Sequence, residues 1–188
     1  VRLWNHDRSR LIQIDDDQFA FHVLKTPAET PSFSRVRAAA QPNLEKYVQV
    51  FLPKQIRHAT LHYLDIVEIP RPAGGNLNLL DYFPQAVDLP EDPFGPITAL
   101  NHQFQVMCPV DEGPLFFCLQ NLPSLPEQNV FRFQLEWHKQ SVDVNSLDLA
   151  AVWQRMGVAH DYMRDCFNAA LSSSTLSLFE PIHETAEN

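Results

Sequence analysis

Between Val130 and Gln140 the large apolar side chains fall on every second residue: Phe131, Phe133, Leu135 and Trp137 alternate with Arg132, Gln134, Glu136 and His138. Successive side chains on a strand point to opposite faces, so this pattern suits a strand with one face in a core and the other wet or ligand-facing. A helix would scatter the same four apolar residues around its girth. The chain must therefore build a sheet with one buried side, and another part of it must cover that side.

Two neighbouring runs supply partners. Ile97 to Met107 and Leu115 to Leu122 read as strands separated by turns at Pro109, Gly113 and the Pro123-to-Pro126 stretch, which predicts a three-strand antiparallel meander. Upstream, Leu61-His62-Tyr63-Leu64-Asp65-Ile66-Val67 is rich in β-branched and aromatic residues, and Pro70 and Pro72 end it. Near the start, Arg10–Ile14 and Phe19–Val23 flank Asp15-Asp16-Asp17 and predict a hairpin.

Two helices are expected as covers. After a Pro27-to-Pro31 linker, Ser32 or Ser34 is placed to cap a helix carrying Val36, Ala40, Leu44, Tyr47, Val48 and Phe51 on one stripe. Pro42 lies inside it, where loss of an N–H and a ring clash predict a kink or a break into two pieces. The second runs from about Ser146 to Leu171 with Leu149, Val152, Trp153, Met156, Met163, Phe167 and Leu171 on its stripe; Asp148 favours its start, and Ser172 to Ser174 ends it. A short helix is expected from Leu77 to Phe83, a mobile proline-rich loop from Pro84 to Pro96, and a frayed tail at 183–188.

These elements predict an α+β fold: a largely antiparallel sheet, ββαβ and then the meander, covered by the central helix and the long C-terminal one. At 188 residues the chain is read as one domain. With 14 Lys+Arg against 23 Asp+Glu the formal charge is -9, which opposes attraction to nucleic acid or anionic lipid. Cys108, Cys118 and Cys166 form no C-x-x-C pair and sit in apolar runs, so buried reduced thiols and a cytoplasmic setting are expected. No run approaches the roughly 20 apolar residues a membrane span needs.

Reactive chemistry has few footholds. There is no G-x-S-x-G elbow and no phosphate-cradling loop, since Gly74-Gly75 leads into neither a Lys-Ser/Thr pair nor a strong helix. His58 and His62 have a helical ligand spacing, yet on a strand they stand about 13 Å apart, too far for one ion. His160 lies on the apolar stripe of the last helix, where a packed, hydrogen-bonded imidazole is expected. No catalytic residue, cofactor or metal is assigned. The candidate ligand-binding set is the wet side of the meander: Gln103, Gln105, Arg132, Gln134, Glu136 and His138, lining a groove beneath the long loop or simply forming a solvated face.

Trp4 followed by Arg10–Ile14, Phe33 at the helix start, Leu61 through Pro70, Leu80-Asp81-Tyr82-Phe83 and the closing Val158-Ala159-His160-Asp161 to Phe167 stretch resemble, in that order, an uncharacterised prokaryotic family sporadically distributed among genomes. The resemblance implies a strand and helix ahead of the first hairpin, missing from this chain, that would complete a ferredoxin-like β-α-β-β-α-β order. It carries no reaction, and implies an antitoxin-, immunity- or defence-associated role. The functional expectation is a non-enzymatic binding protein whose partner is a protein, such as a basic toxin or effector, or a second copy of itself through the N-terminal hairpin edge; the alternative is a small-molecule-binding domain using the polar sheet face.

Overall fold

A computed structural model describes residues 1–26, 31–72, 77–86, 99–109, 113–123, 127–140 and 147–179. The α+β expectation holds, with the strands divided between two antiparallel sheets. The chain falls into two compact units. One holds Val1–Arg57 and the first turn of the long helix through Trp153; the other holds the chain from His58 together with that helix from Gln154 onward.

In the first unit, β1 (Arg2–Trp4), β2 (Arg10–Ile14) and β3 (Phe19–Val23) form a three-stranded meander. The expected hairpin is β2–β3, in a register that sets Ile12 against Phe21 and Ile14 against Phe19. The expected ββαβ sheet does not form: β1 takes the free side of β2, and the strand that follows the helix joins the other sheet. Helix α1 (Phe33–Phe51) serves the hairpin by placing buried Tyr47 against Phe19, ring centres 5.7 Å apart, with its hydroxyl directed at the Asp15 and Asp16 carbonyls of the turn.

Ser32 caps α1, its hydroxyl oxygen accepting from the Arg35 N–H. Of the kink or break expected at Pro42, the break does not occur: the helix runs on from Phe33 to Phe51 through the proline. Its ring sits on the exposed side, and the Asn43 side chain donates to the Ala39 carbonyl at 2.8 Å, beside the acceptor that Pro42 leaves without a backbone donor.

In the second unit, β4 (His58–Pro70), β5 (Asn101–Met107), β6 (Pro114–Asn121) and β7 (Gln128–Gln140) form a four-stranded sheet in the order β4-β7-β6-β5. The alternation in β7 does what its period requires: Phe131, Phe133, Leu135 and Trp137 are buried on one face beside Leu115, Phe117 and Leu119 of β6 and Val67 and Ile69 of β4. Helix α2 (Leu149–Ala170) brings Ala159, Met163 and Phe167 to this face, with the Phe167 ring 5.4 Å from that of Phe133. Asp148 caps α2 through the Ala151 N–H.

The short helix expected at Leu77–Phe83 is a single 3-10 turn, Leu79–Asp81, opened by Asn78. It delivers Phe83 into the core against Phe131, and its Tyr82 carbonyl accepts from the Thr175 hydroxyl at 2.6 Å and from the Ser172 N–H. Ser172 also caps a final turn, α3 (Ser173–Leu176). Most of the Pro84-to-Pro96 loop and the 183–188 tail lie outside the described residues.

Candidate functional site

Burial of the odd-numbered side chains of β7 sends the even-numbered ones to the opposite face of the four-stranded sheet, and the ladder register decides what stands beside them. Three rows cross the sheet: His62, Glu136, Phe116, Gln105; then Leu64, Gln134, Cys118, Gln103; then Ile66, Arg132, Gln120, Asn101. Thr60 opposite His138 extends the pattern at one end. All six residues singled out from the sequence, Gln103, Gln105, Arg132, Gln134, Glu136 and His138, therefore share this face, those of β5 separated from those of β7 by β6.

Sequence reasoning missed the β6 and β4 contributions. Leu115-Phe116-Phe117-Cys118-Leu119 is apolar on both faces, so periodicity could not show that Phe116 and Cys118 turn away from the core. In β4 the even residues include Leu64 and Ile66, which look like core residues by type. They are 49% and 46% exposed, and Phe116 is 40% exposed, so the polar grid carries three large apolar side chains facing out.

The polar members are tied to one another. Thr60 Oγ1 lies 3.4 Å from His138 Nδ1, His138 Nε2 meets Glu136 Oε1 at 3.0 Å, and Gln134 Nε2 donates to Glu136 Oε2 at 3.3 Å. Arg132 donates to Gln120, and Gln103 donates to Asn101 at 3.0 Å. The Phe116 ring stands edge-on to the His138 imidazole at 5.1 Å.

Hydroxyl, imidazole and carboxylate thus lie in the order of a nucleophile, base and orienting acid. The strand's backbone N–H groups, however, lie in the plane of the sheet, so among the described residues the ladders themselves aim no pair of donors up from this face. The arrangement acts as a hydrogen-bonded surface. It is rich in carboxamides, which can both donate and accept.

The opposite face holds a second polar pair. Tyr63 on β4 and His160 on α2 meet at 2.8 Å between the hydroxyl and Nδ1, which makes His160 the packed, hydrogen-bonded residue expected from its place on the stripe. Burial lowers the His160 pKa below the usual histidine value, with Asp161 opposing the shift and Arg164 adding to it. Burial, assisted by Asp65, raises the Tyr63 pKa.

Beside β5 a cleft of about 330 Å³ opens between Phe104 and Phe117 on the sheet and Cys166, Ala169 and Ala170 on α2, with Pro84 and Gln85 on its wall. Phe104 and Phe117 stack at 4.4 Å. Among the described residues, neither end of the shielded Gln85 carboxamide has a hydrogen-bond partner, nor does the shielded Nδ1 of His102. Burial and Asp165 raise the Cys166 pKa, while a bond from Tyr162 opposes the rise.

Cys108 alone is buried; Cys118 and Cys166 are half-exposed and free, which corrects the expectation that all three thiols are buried. His58 and His62 lie on a strand, as expected. Among the described residues no group of three or more His, Cys, Asp or Glu side chains is placed to hold a metal ion, and no helix is long and apolar enough to cross a membrane. Comparison with protein-family models, curated proteins and solved structures finds no match for the chain.

Proposed function

We propose that this protein is a binding module whose open sheet face engages a protein partner. The observation that carries this reading is the set of outward-facing Leu64, Ile66 and Phe116 within a hydrogen-bonded grid of Gln, Glu, Arg and His side chains. Protein interfaces combine apolar anchors with polar surroundings in this way. Small-molecule sites are concave and enclose most of their ligand, whereas among the described residues this pleated face has no walls. The charge of -9 favours a partner with a basic surface, and a toxin or effector bound by an immunity-type protein is one such partner.

The test is to mix the purified chain with the purified products of the adjacent genes and to follow complex formation by size-exclusion chromatography and calorimetry. A complex that Phe116→Lys weakens at least tenfold, with the circular dichroism spectrum unchanged, supports the reading. The absence of any complex at micromolar concentration, or a complex indifferent to Phe116→Lys, counts against it.

The cleft beside β5 favours a second reading, a small-molecule site. A buried amide group without a partner costs about 1–3 kcal/mol, and a ligand offering a donor next to an acceptor would match the Gln85 carboxamide. A thermal-shift screen with small aromatic lactams checks it: a hit that persists in Gln85→Leu would contradict the assignment.

A further inference from the structure

The core face of the four-stranded sheet is covered unevenly. Leu115 and Phe117 of β6 are buried, whereas their register partners on β5, Val106 and Phe104, are exposed together with Met107. Cover from α2 therefore stops short of β5, and the cleft of about 330 Å³ bounded by Phe104, Phe117, Cys166, Ala169 and Ala170 opens there. Strand β5 is also an edge of the sheet, with no strand on its outer side among the described residues. Bonds from the Asn121 N–H to the Leu100 carbonyl and from the Cys108 N–H to the Gly113 carbonyl fix the phase of its ladder: the even-numbered residues of β5 bond to β6. The N–H and C=O groups of Asn101, Gln103, Gln105 and Met107 therefore point outward.

Exposed edges are usually blunted by lysine, proline or a bulge. From Asn101 to Met107 there is no lysine, proline or acidic residue, and the strand pairs with β6 residue for residue. At the opposite edge of the sheet the inward-facing Val67 and Ile69 of β4 are already buried, which leaves β5 as the side with apolar surface to cover. An extended segment laid antiparallel along β5 bonds to the outward groups of Gln103 and Gln105. Directly opposed residues project to the same side of a sheet, so the segment's residue opposite Phe104 points with Phe104 into the cleft. There it meets the Gln85 carboxamide, which has no partner among the described residues.

We infer that β5 is a peptide-docking edge, to which an extended basic segment of a partner protein adds as a further strand, seating one uncharged side chain in the cleft beside Phe104. Charge chooses the occupant. From His58 onward the chain carries 17 of its 23 Asp+Glu but only 5 of its 14 Lys+Arg. Neither β5 nor the cleft lining holds a charged residue, and in the turn of α2 before Cys166 the carboxylates of Asp161 and Asp165 flank a single guanidinium, that of Arg164. A second copy would bring the same acidity to the contact, whereas lysine or arginine on either side of a docked stretch is drawn to it. This surface is the rim of the sheet, so the inference does not rest on the partner proposed for the open face. It gives to a partner's side chain the cleft that the second reading gives to a small molecule.

Selection from a random nonapeptide library on the purified full-length chain is expected to return peptides with uncharged side chains at alternate positions and Lys or Arg toward the ends, their affinity read by fluorescence anisotropy. Gln105→Pro deletes an outward N–H and leaves the bonds to β6 in place, a change that an edge strand accepts. It should weaken the selected peptides about tenfold or more, with the circular dichroism spectrum unchanged. Should that variant not fold, peptides N-methylated at every second residue decide on the wild-type chain: methylation in one phase should abolish binding and in the other leave it intact. Affinity indifferent to Gln105→Pro and to the methylation phase, selection of acidic peptides, or no binder at about 100 µM overturns the inference. So does slow amide exchange at Gln103 and Gln105 in the chain alone, which would mean that the chain covers its own edge, and so does a dimer that Gln105→Pro dissolves, which would make the occupant a second copy. A lactam that binds and is lost in Gln85→Leu, while no peptide binds, keeps the small-molecule reading and overturns this one.

Discussion

The Tyr63–His160 contact shows how one half-buried pair sets a condition on the whole fold. The phenol and imidazole meet at 2.8 Å on the core side of the sheet, and burial favours the neutral imidazole. In the unfolded chain the same group takes up a proton at about pH 6.5, so below that value the unfolded state binds more protons. Stability from this group is therefore complete above the unfolded pKa and declines as pH falls through 6.5 toward the lower folded value. Urea unfolding of the wild type should lose stability between pH 7.5 and 5, and His160→Gln should lose less over that interval; parallel losses would show that His160 is not the titrating group. Tyr63→Phe removes one hydrogen bond and should cost about 1 kcal/mol at pH 7.5.

At the scale of elements the clearest local strain is at the end of α1. Leu52 caps that helix in the left-handed region, φ 48 and ψ 49, so that its N–H reaches the Val48 carbonyl. A side chain with a Cβ pays about 1–2 kcal/mol for that conformation, whereas glycine adopts it freely but loses more entropy on folding. Leu52 is largely exposed, so its replacement leaves no cavity. Leu52→Gly should stabilise the chain by roughly 0.5–1 kcal/mol, read as a higher midpoint in thermal unfolding; a lower midpoint would mean that the leucine side chain makes a contact worth more than the strain.

Elements were legible in the sequence to different degrees, for physical reasons. The strand β7 was readable because its side chains alternate without exception, and that period also put all six candidate residues on one face. The division into two sheets was not readable: alternation tells which way a side chain points and says nothing of which strand lies alongside. Strand β1 is too short to show a period, and Phe116 and Leu64 are outward-facing residues of core type. The break expected at Pro42 does not occur, and in the turn that the proline loosens the Asn43 side chain adds a hydrogen bond to the Ala39 carbonyl. The rows joining β5 to β7 through Phe116, Cys118 and Gln120 depend on register, which only long-range pairing fixes.

For the molecule as a whole, the charge of -9 makes the proposed complex with a basic partner sensitive to salt. Added salt screens the attraction between the two surfaces, the screening length falling from about 10 Å at 0.1 M to about 3 Å at 1 M. The dissociation constant of the complex should therefore rise between about 50 and 500 mM sodium chloride, mainly through a slower association rate. Stopped-flow mixing with a partner measures the trend. If the complex is salt-independent, the acidic balance of the chain plays no part in choosing what it binds.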